Sequence, residues 1–209
     1  MSPSRWRLRR VFRKPISAIA VPLAHRGIRP NTITYVSLLV GLSALLALVV
    51  GRSPFLFGLL VFVTGLLDGV DGAVARLNSS ASSLGAFTDS SVDKVTELLL
   101  LLAIGLAFPS EEFLGLTVPL WVVLCAFSWL LTSYTRSRAE VLGARDLDIG
   151  LGGRSERLFL LFIVSLAGAV LWALVIGTLL GIATASYRFY HYGRQIAEID
   201  AHSEQSSRS

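Results

Sequence analysis

The sequence predicts an all-α integral membrane protein: six transmembrane helices, preceded by an N-terminal amphipathic helix lying at the membrane interface. Three observations predict it. Hydrophobic residues make up 53% of the 209 and charged residues only 16%, so a water-soluble domain of this size would have more apolar surface than it could bury. Apolar segments recur at about 32–51, 54–77, 86–107, 113–135, 156–170 and 172–190, each near the roughly 20 residues a helix needs to cross a bilayer. With six spans and both termini cytosolic, Arg52 alone of the 19 lysines and arginines falls on the outer side, as the positive-inside rule requires.

The elements follow in chain order. Residues 1–30 form a basic arm. "MSPSRWRLRRVFRKP" lacks the apolar core and cleavage site of a signal peptide, so the start is expected to be retained. From Arg5 to about Ala24, cations alternate with Trp6, Phe12, Ile16, Ile19 and Val21. This suits a helix lying among anionic headgroups, although a plain topogenic arm would read the same way. Residues 31–195 form the six-helix domain. Its outer loop "PSEE" is acidic, and the single Cys125 sits within an apolar run as a packing residue. The run 156–190 is long for one span and short for two. Gly168 is the expected turn, with one long tilted helix as the alternative. "YRFYHYGR" reads as an interfacial aromatic belt, which makes His191 an anchor rather than a metal ligand. Residues 196–209 are polar and Ser-rich and are expected to form a disordered tail.

The acids are the anomaly. Asp68, Asp71, Asp89 and Asp93 adjoin the most hydrophobic sequence in the chain, and an ionised Asp at a helix centre costs about 2.5–3.5 kcal/mol. Residues three apart lie about 60° apart around a helix and residues four apart about 40°, so each pair shares a face. Two such faces joined by "LNSSASSLG" would make a four-carboxylate cage. Hard oxygen donors in that number suit Mg²⁺ or Mn²⁺, with two ions sharing bridging carboxylates. Gly72 and, one turn on, Arg76 leave space and a fixed cation for a phosphate ester beside them. Tight helix packing is the competing use of the small residues.

Together Asp68, Asp71, Gly72, Ala75, Arg76, Gly85, Asp89 and Asp93 spell D-x2-D-G-x2-A-R-x8-G-x3-D-x3-D, and so the chain resembles the CDP-alcohol phosphatidyltransferase family from about Pro30 to Tyr190. The resemblance implies a homodimeric membrane enzyme in which an alcohol displaces CMP from a CDP-linked lipid. It implies that Asp68, Asp71 and Asp89 bind divalent metal and that Asp93 is both a metal-site residue and the general base. Gly72 and Arg76 would contact the CDP moiety. The family's segment before the first span, here "GIRPNTIT", adds Asn31 and Thr34, and the connecting loop adds Ser82. Helix capping or ordinary loop polarity explains those three equally well.

The acceptor is read from residues 134–157. Arg136 and Arg138 end the fourth span and Arg154 and Arg157 begin the fifth, so four guanidinium groups could meet at the mouth of the bundle and hold an acceptor phosphate. "YTRSRAEVLG" and "GLGGRSER" also resemble the inositol-phosphate branch of the family, with Ser137 and Gly153 as departures. The resemblance thus implies transfer from CDP-archaeol or CDP-diacylglycerol to inositol 1-phosphate at the cytosolic face of the cell membrane, with the archaeol form favoured. A sister enzyme using glycerol 3-phosphate would need a similar pocket. A divalent-cation transporter would need acids at more than one depth, whereas here they cluster at one end. No nucleic-acid partner is expected.

Overall fold

A computed structural model describes residues 11–147 and 149–208, with side chains to residue 201. Helix α1 (Arg13–His25) lays Ile16, Ala20 and Ala24 against Val70 and Val74 of the second long helix. A Cβ on Gly69 would lie 2.5 Å from Ile16 Cδ1, so this glycine lets the arm dock closely. The arm is therefore packed on the bundle over these residues. Arg5, Arg7, Arg9 and Arg10, expected in the same helix, lie outside the described residues. Helix α1 stops at Gly27, whose φ of 69° only glycine adopts freely, with the Ile28 N–H returning to the Leu23 carbonyl at 3.2 Å.

Helices α2 (Pro30–Val49) and α3 (Pro54–Leu77) each begin on a proline, which lacks the N–H a first turn would leave unpaired. Helix α4 (Ser83–Ala107) is capped by Ser82, whose Oγ accepts from the Gly85 N–H at 3.0 Å. A two-residue hairpin follows, β1 (Glu112–Phe113) antiparallel to β2 (Leu116–Thr117), turned by Leu114 and Gly115, both with positive φ. The next helix, α5 (Val118–Val141), therefore starts later than the apolar run beginning at 113 predicts. Then come α6 (Arg154–Leu166) and α7 (Val170–Arg208). Gly168, φ 72°, separates them, so the long apolar run is two helices. Helix α7 continues through the expected disordered tail to Arg208, because no glycine or proline follows Gly193 to end it.

Among the described residues, four helices are long and apolar enough to cross a membrane: α2, α3, α5 and α7 as far as Ala201. The six-span expectation is thus met only in part. Helix α4 is long enough, but Asp89, Asp93, Lys94 and Glu97 interrupt its apolar run. Helix α6 has only 13 residues, about 20 Å at 1.5 Å per residue against a hydrocarbon core of about 30 Å.

The six long elements close into a ring in the order α2, α4, α5, α7, α6, α3 and back to α2. Phe57, Val61, Leu100, Ile104, Trp129, Leu158, Leu161 and Leu174 fill its centre, and Cys125 is buried among them. Where α5 crosses α7, Trp129 donates to the Gly177 carbonyl at 3.1 Å and Thr132 to the Gly181 carbonyl at 3.0 Å. The two acid-bearing helices, α3 and α4, are not neighbours in the ring. Both lean on α2.

Candidate active site

Helix α2 sets the first carboxylate. Thr34 donates to Asp71 Oδ2 at 2.8 Å, while the Gly72 N–H donates to Oδ1 at 2.6 Å. Both oxygens of this buried acid are therefore held before anything binds. Asp68 and Asp89 join it, and the three acids each present an oxygen, all within 4.8 Å of one another. At that spacing, with an effective dielectric constant near 20, two carboxylates repel by roughly 3–4 kcal/mol. The cluster needs positive charge.

Arg154, the first residue of α6, supplies part of it. Its Nη1 reaches Asp68 Oδ1 and also Asp93 Oδ1, the latter at 2.5 Å, and its Nε lies 3.6 Å from Glu97. Glu97 is buried and also accepts from Arg157 Nη2 at 3.0 Å and Lys94 Nζ at 2.9 Å. Asp68, Asp71, Asp89, Asp93 and Glu97 outnumber Arg154, Arg157 and Lys94. The excess negative charge, all on oxygen donors, fits a divalent cation held by Asp68, Asp71 and Asp89 with Asp93 adjoining.

Two cavities meet at this point. The larger, of about 580 Å³, runs from Asp68, Asp71, Gly72, Arg76 and Asp89 past Phe12, Ile16, Phe62 and Phe159. A polar end with charged groups thus opens onto an apolar, aromatic-walled channel, the shape an amphiphile fits. The guanidinium of Arg76 passes beside Gly72, where a Cβ would lie 3.4 Å from its Nη1. The smaller cavity, of about 460 Å³, is lined by Lys94, Arg136, Arg154, Arg157 and Arg188, which outnumber its acids Asp93, Glu140 and Glu156. Asp93 and Ser155 line both.

The sequence-derived residues divide accordingly. Asp68, Asp71, Asp89, Asp93, Gly72 and Arg76 all line the larger cavity. Asn31, Thr34 and Ser82 do not line the larger cavity. Thr34 instead fixes Asp71, and Ser82 is a helix cap. Of the four arginines, Arg136 and Arg154 line the smaller cavity, whereas Arg138 is exposed and lies outside its lining. Arg157 borders it but is 2% exposed, donates from Nη1 to the Trp129 carbonyl at 2.9 Å and stacks over the Trp129 ring at 4.8 Å. It braces α4, α5 and α6 together.

Three residues escaped the sequence reading. Glu97 continues the Asp89, Asp93 spacing by one more turn, and that i, i+4, i+8 stripe was a usable signal. Lys94 counted only as a topogenic charge. So did Arg188, which donates to the carbonyls of Ile149 at 3.0 Å and Thr132 at 2.6 Å. Its sequence neighbourhood of aromatic residues had no feature to distinguish it.

Comparison with known proteins bears on this site. The family model described as CDP-alcohol phosphatidyltransferase matches residues 28–187. An archaetidylinositol phosphate synthase of Pyrococcus horikoshii is 30% identical over 190 residues, covering 91% of this chain and 97% of that one. A phosphatidylinositol phosphate synthase of Mycobacteroides abscessus is 28% identical over 190 residues, covering 84% and 83%. Among solved structures, the phosphatidylinositol phosphate synthase of Mycobacterium tuberculosis with CDP-DAG bound superposes with a TM-score of 0.70 at 21% identity, covering 85% of this chain and 92% of that one. The same enzyme in complex with manganese and citrate matches equally well, at a TM-score of 0.70.

Proposed function

Since this chain belongs to the CDP-alcohol phosphatidyltransferase family, we propose that it transfers an archaetidyl or phosphatidyl group from CDP-archaeol or CDP-diacylglycerol to inositol 1-phosphate, releasing CMP. The observation that carries this reading is that Asp93 lines both cavities. A base at their junction can meet a hydroxyl arriving from one side and a phosphorus presented from the other.

The larger cavity takes the CDP-lipid. Arg76 holds pyrophosphate oxygens, Gly72 leaves them room, and the channel past Phe62 and Phe159 receives the lipid chains. Asp68, Asp71 and Asp89, with Asp93, would hold Mg²⁺ or Mn²⁺, two ions in all, which would supply positive charge toward the pyrophosphate and the departing CMP. In the smaller cavity Arg136, Arg154, Lys94 and Arg188 present cations to the acceptor's phosphate and orient its free hydroxyl. Asp93 removes the hydroxyl proton as the new O–P bond forms at the lipid-bearing phosphorus and the bond to the CMP oxygen breaks in line. We further propose six spans, with α4 and the short α6 crossing as members of the ring, a homodimer, and the acid cluster and both termini on the cytosolic side.

Purified protein given CDP-archaeol or CDP-diacylglycerol with Mn²⁺ should release CMP with inositol 1-phosphate. It should release little with free inositol, serine or glycerol 3-phosphate. Turnover with uncharged acceptors alone would overturn the cationic-cavity argument, and preference for glycerol 3-phosphate would reassign the acceptor to the sister reaction.

A further inference from the structure

Resting on that reading of the acid cluster as the metal site, we infer that Arg154 is an internal counter-ion that competes with the metal and, once displaced, becomes a ligand for the acceptor phosphate. Metal loading and acceptor binding are then coupled through one side chain.

Arg154 differs from the arginine one turn along. Arg157 is anchored by a backbone carbonyl and by the face of Trp129, contacts that no metal ion would replace. Among the described residues, the ion-pair partners of Arg154 are Asp68, Asp93 and, more distantly, Glu97, and its buried Nε has no hydrogen-bond partner. Asp68 is one of the three carboxylates that would bind the ion, and Asp93 is the proposed base. With Arg154 seated there, one metal-binding carboxylate and the base are both paired with the same guanidinium.

The position suits a side chain that moves. Arg154 opens α6 directly after Gly152 and Gly153. A fixed cation at a helix N-terminus opposes the helix dipole, so the carboxylates are what hold it in place. A divalent cation brings twice the charge to the same carboxylate cluster and so competes with it. The guanidinium already borders the smaller cavity, so rotation about its own side-chain bonds carries it toward an acceptor phosphate. By linkage, an anion that holds Arg154 in that cavity must strengthen metal binding, and the metal must strengthen anion binding by the same factor.

The test is Mn²⁺ binding to detergent-purified protein, without CDP-lipid, followed by electron paramagnetic resonance of the free ion. Arg154→Gln should bind Mn²⁺ about tenfold more tightly than the wild type, whereas Arg138→Gln, exposed and outside both cavities, should leave the affinity unchanged. Inorganic phosphate should tighten Mn²⁺ binding to the wild type about fivefold or more and have no such effect in Arg154→Gln. Equal or weaker Mn²⁺ binding by Arg154→Gln, or phosphate coupling that survives the substitution, would overturn the inference while leaving the metal site standing. Absence of Mn²⁺ binding in wild type and variant alike would overturn the metal site and this inference together. Should Arg154→Gln not fold, Arg154→Lys replaces it. Its ammonium lacks the planar fork, so Mn²⁺ affinity should rise about threefold, and an affinity no higher than wild type would overturn the inference.

Discussion

At Asp93 the demands of the chemistry and of the fold are separable, which makes it the most informative single residue. Asp93→Asn keeps the size of the side chain and removes its capacity to take a proton. Turnover should fall about 10²–10⁴-fold, in the range general-base catalysis supplies, while CDP-lipid binding measured by calorimetry persists; retained CMP release would exclude it as the base. Thr34 works one step removed. Thr34→Val deletes the hydrogen bond that orients Asp71 and should weaken Mn²⁺ binding about 10–100-fold, with Thr34→Ser restoring it. The acids were legible in the sequence because four carboxylates in an apolar context demand an explanation and their spacings put each pair on one helical face. The role of Thr34 was not, because Asp71 lies 37 residues away and hydroxyl residues at helix starts are ordinary.

At the scale of the element, the apolar runs at about 32–51 and 54–77 marked the first two long helices to within two residues, and the turn expected at Gly168 is where the chain breaks. Proline opens α2 and α3, and Gly168 divides α6 from α7. The hairpin at 112–117 was missed, since Leu114 gives no hint of a left-handed turn and the local composition is as apolar as a span. Helix crossings depend on small residues that sequence can only nominate. Gly181 is one that decides: a side chain there would strike Ser128 Oγ and come within 2.9 Å of its Cβ. Gly181→Val should therefore lower stability by about 1–3 kcal/mol through overpacking between α5 and α7, seen as a lower melting temperature in detergent. An unchanged melting temperature would mean that this crossing yields more readily than the packing implies.

For the whole molecule, the ring explains why a short helix and a charged one belong to a membrane bundle. Helix α6 lies between α3 and α7, and the acid-rich start of α4 faces cations brought by α6. The proposed topology predicts that, in sealed right-side-out vesicles, a membrane-impermeant thiol reagent labels Leu114→Cys directly and Ser79→Cys only after permeabilisation. Both labelled from the same side would rule out the six-span arrangement. Cys125 is fully buried and should stay silent. The sequence by itself determined the membrane setting, the paired acids and the family pattern. Each is a matter of residue type and of spacing within one or two turns, which local geometry converts directly into a helix and a face. Only the tertiary structure decided that α2 rather than direct contact aligns α3 with α4, that Arg157 braces the fold, and that Arg154 reaches the acids while Arg138 stays outside. Those outcomes depend on which helices become neighbours in the ring, and on the direction in which a long side chain leaves its helix, over separations of tens of residues that no periodicity encodes.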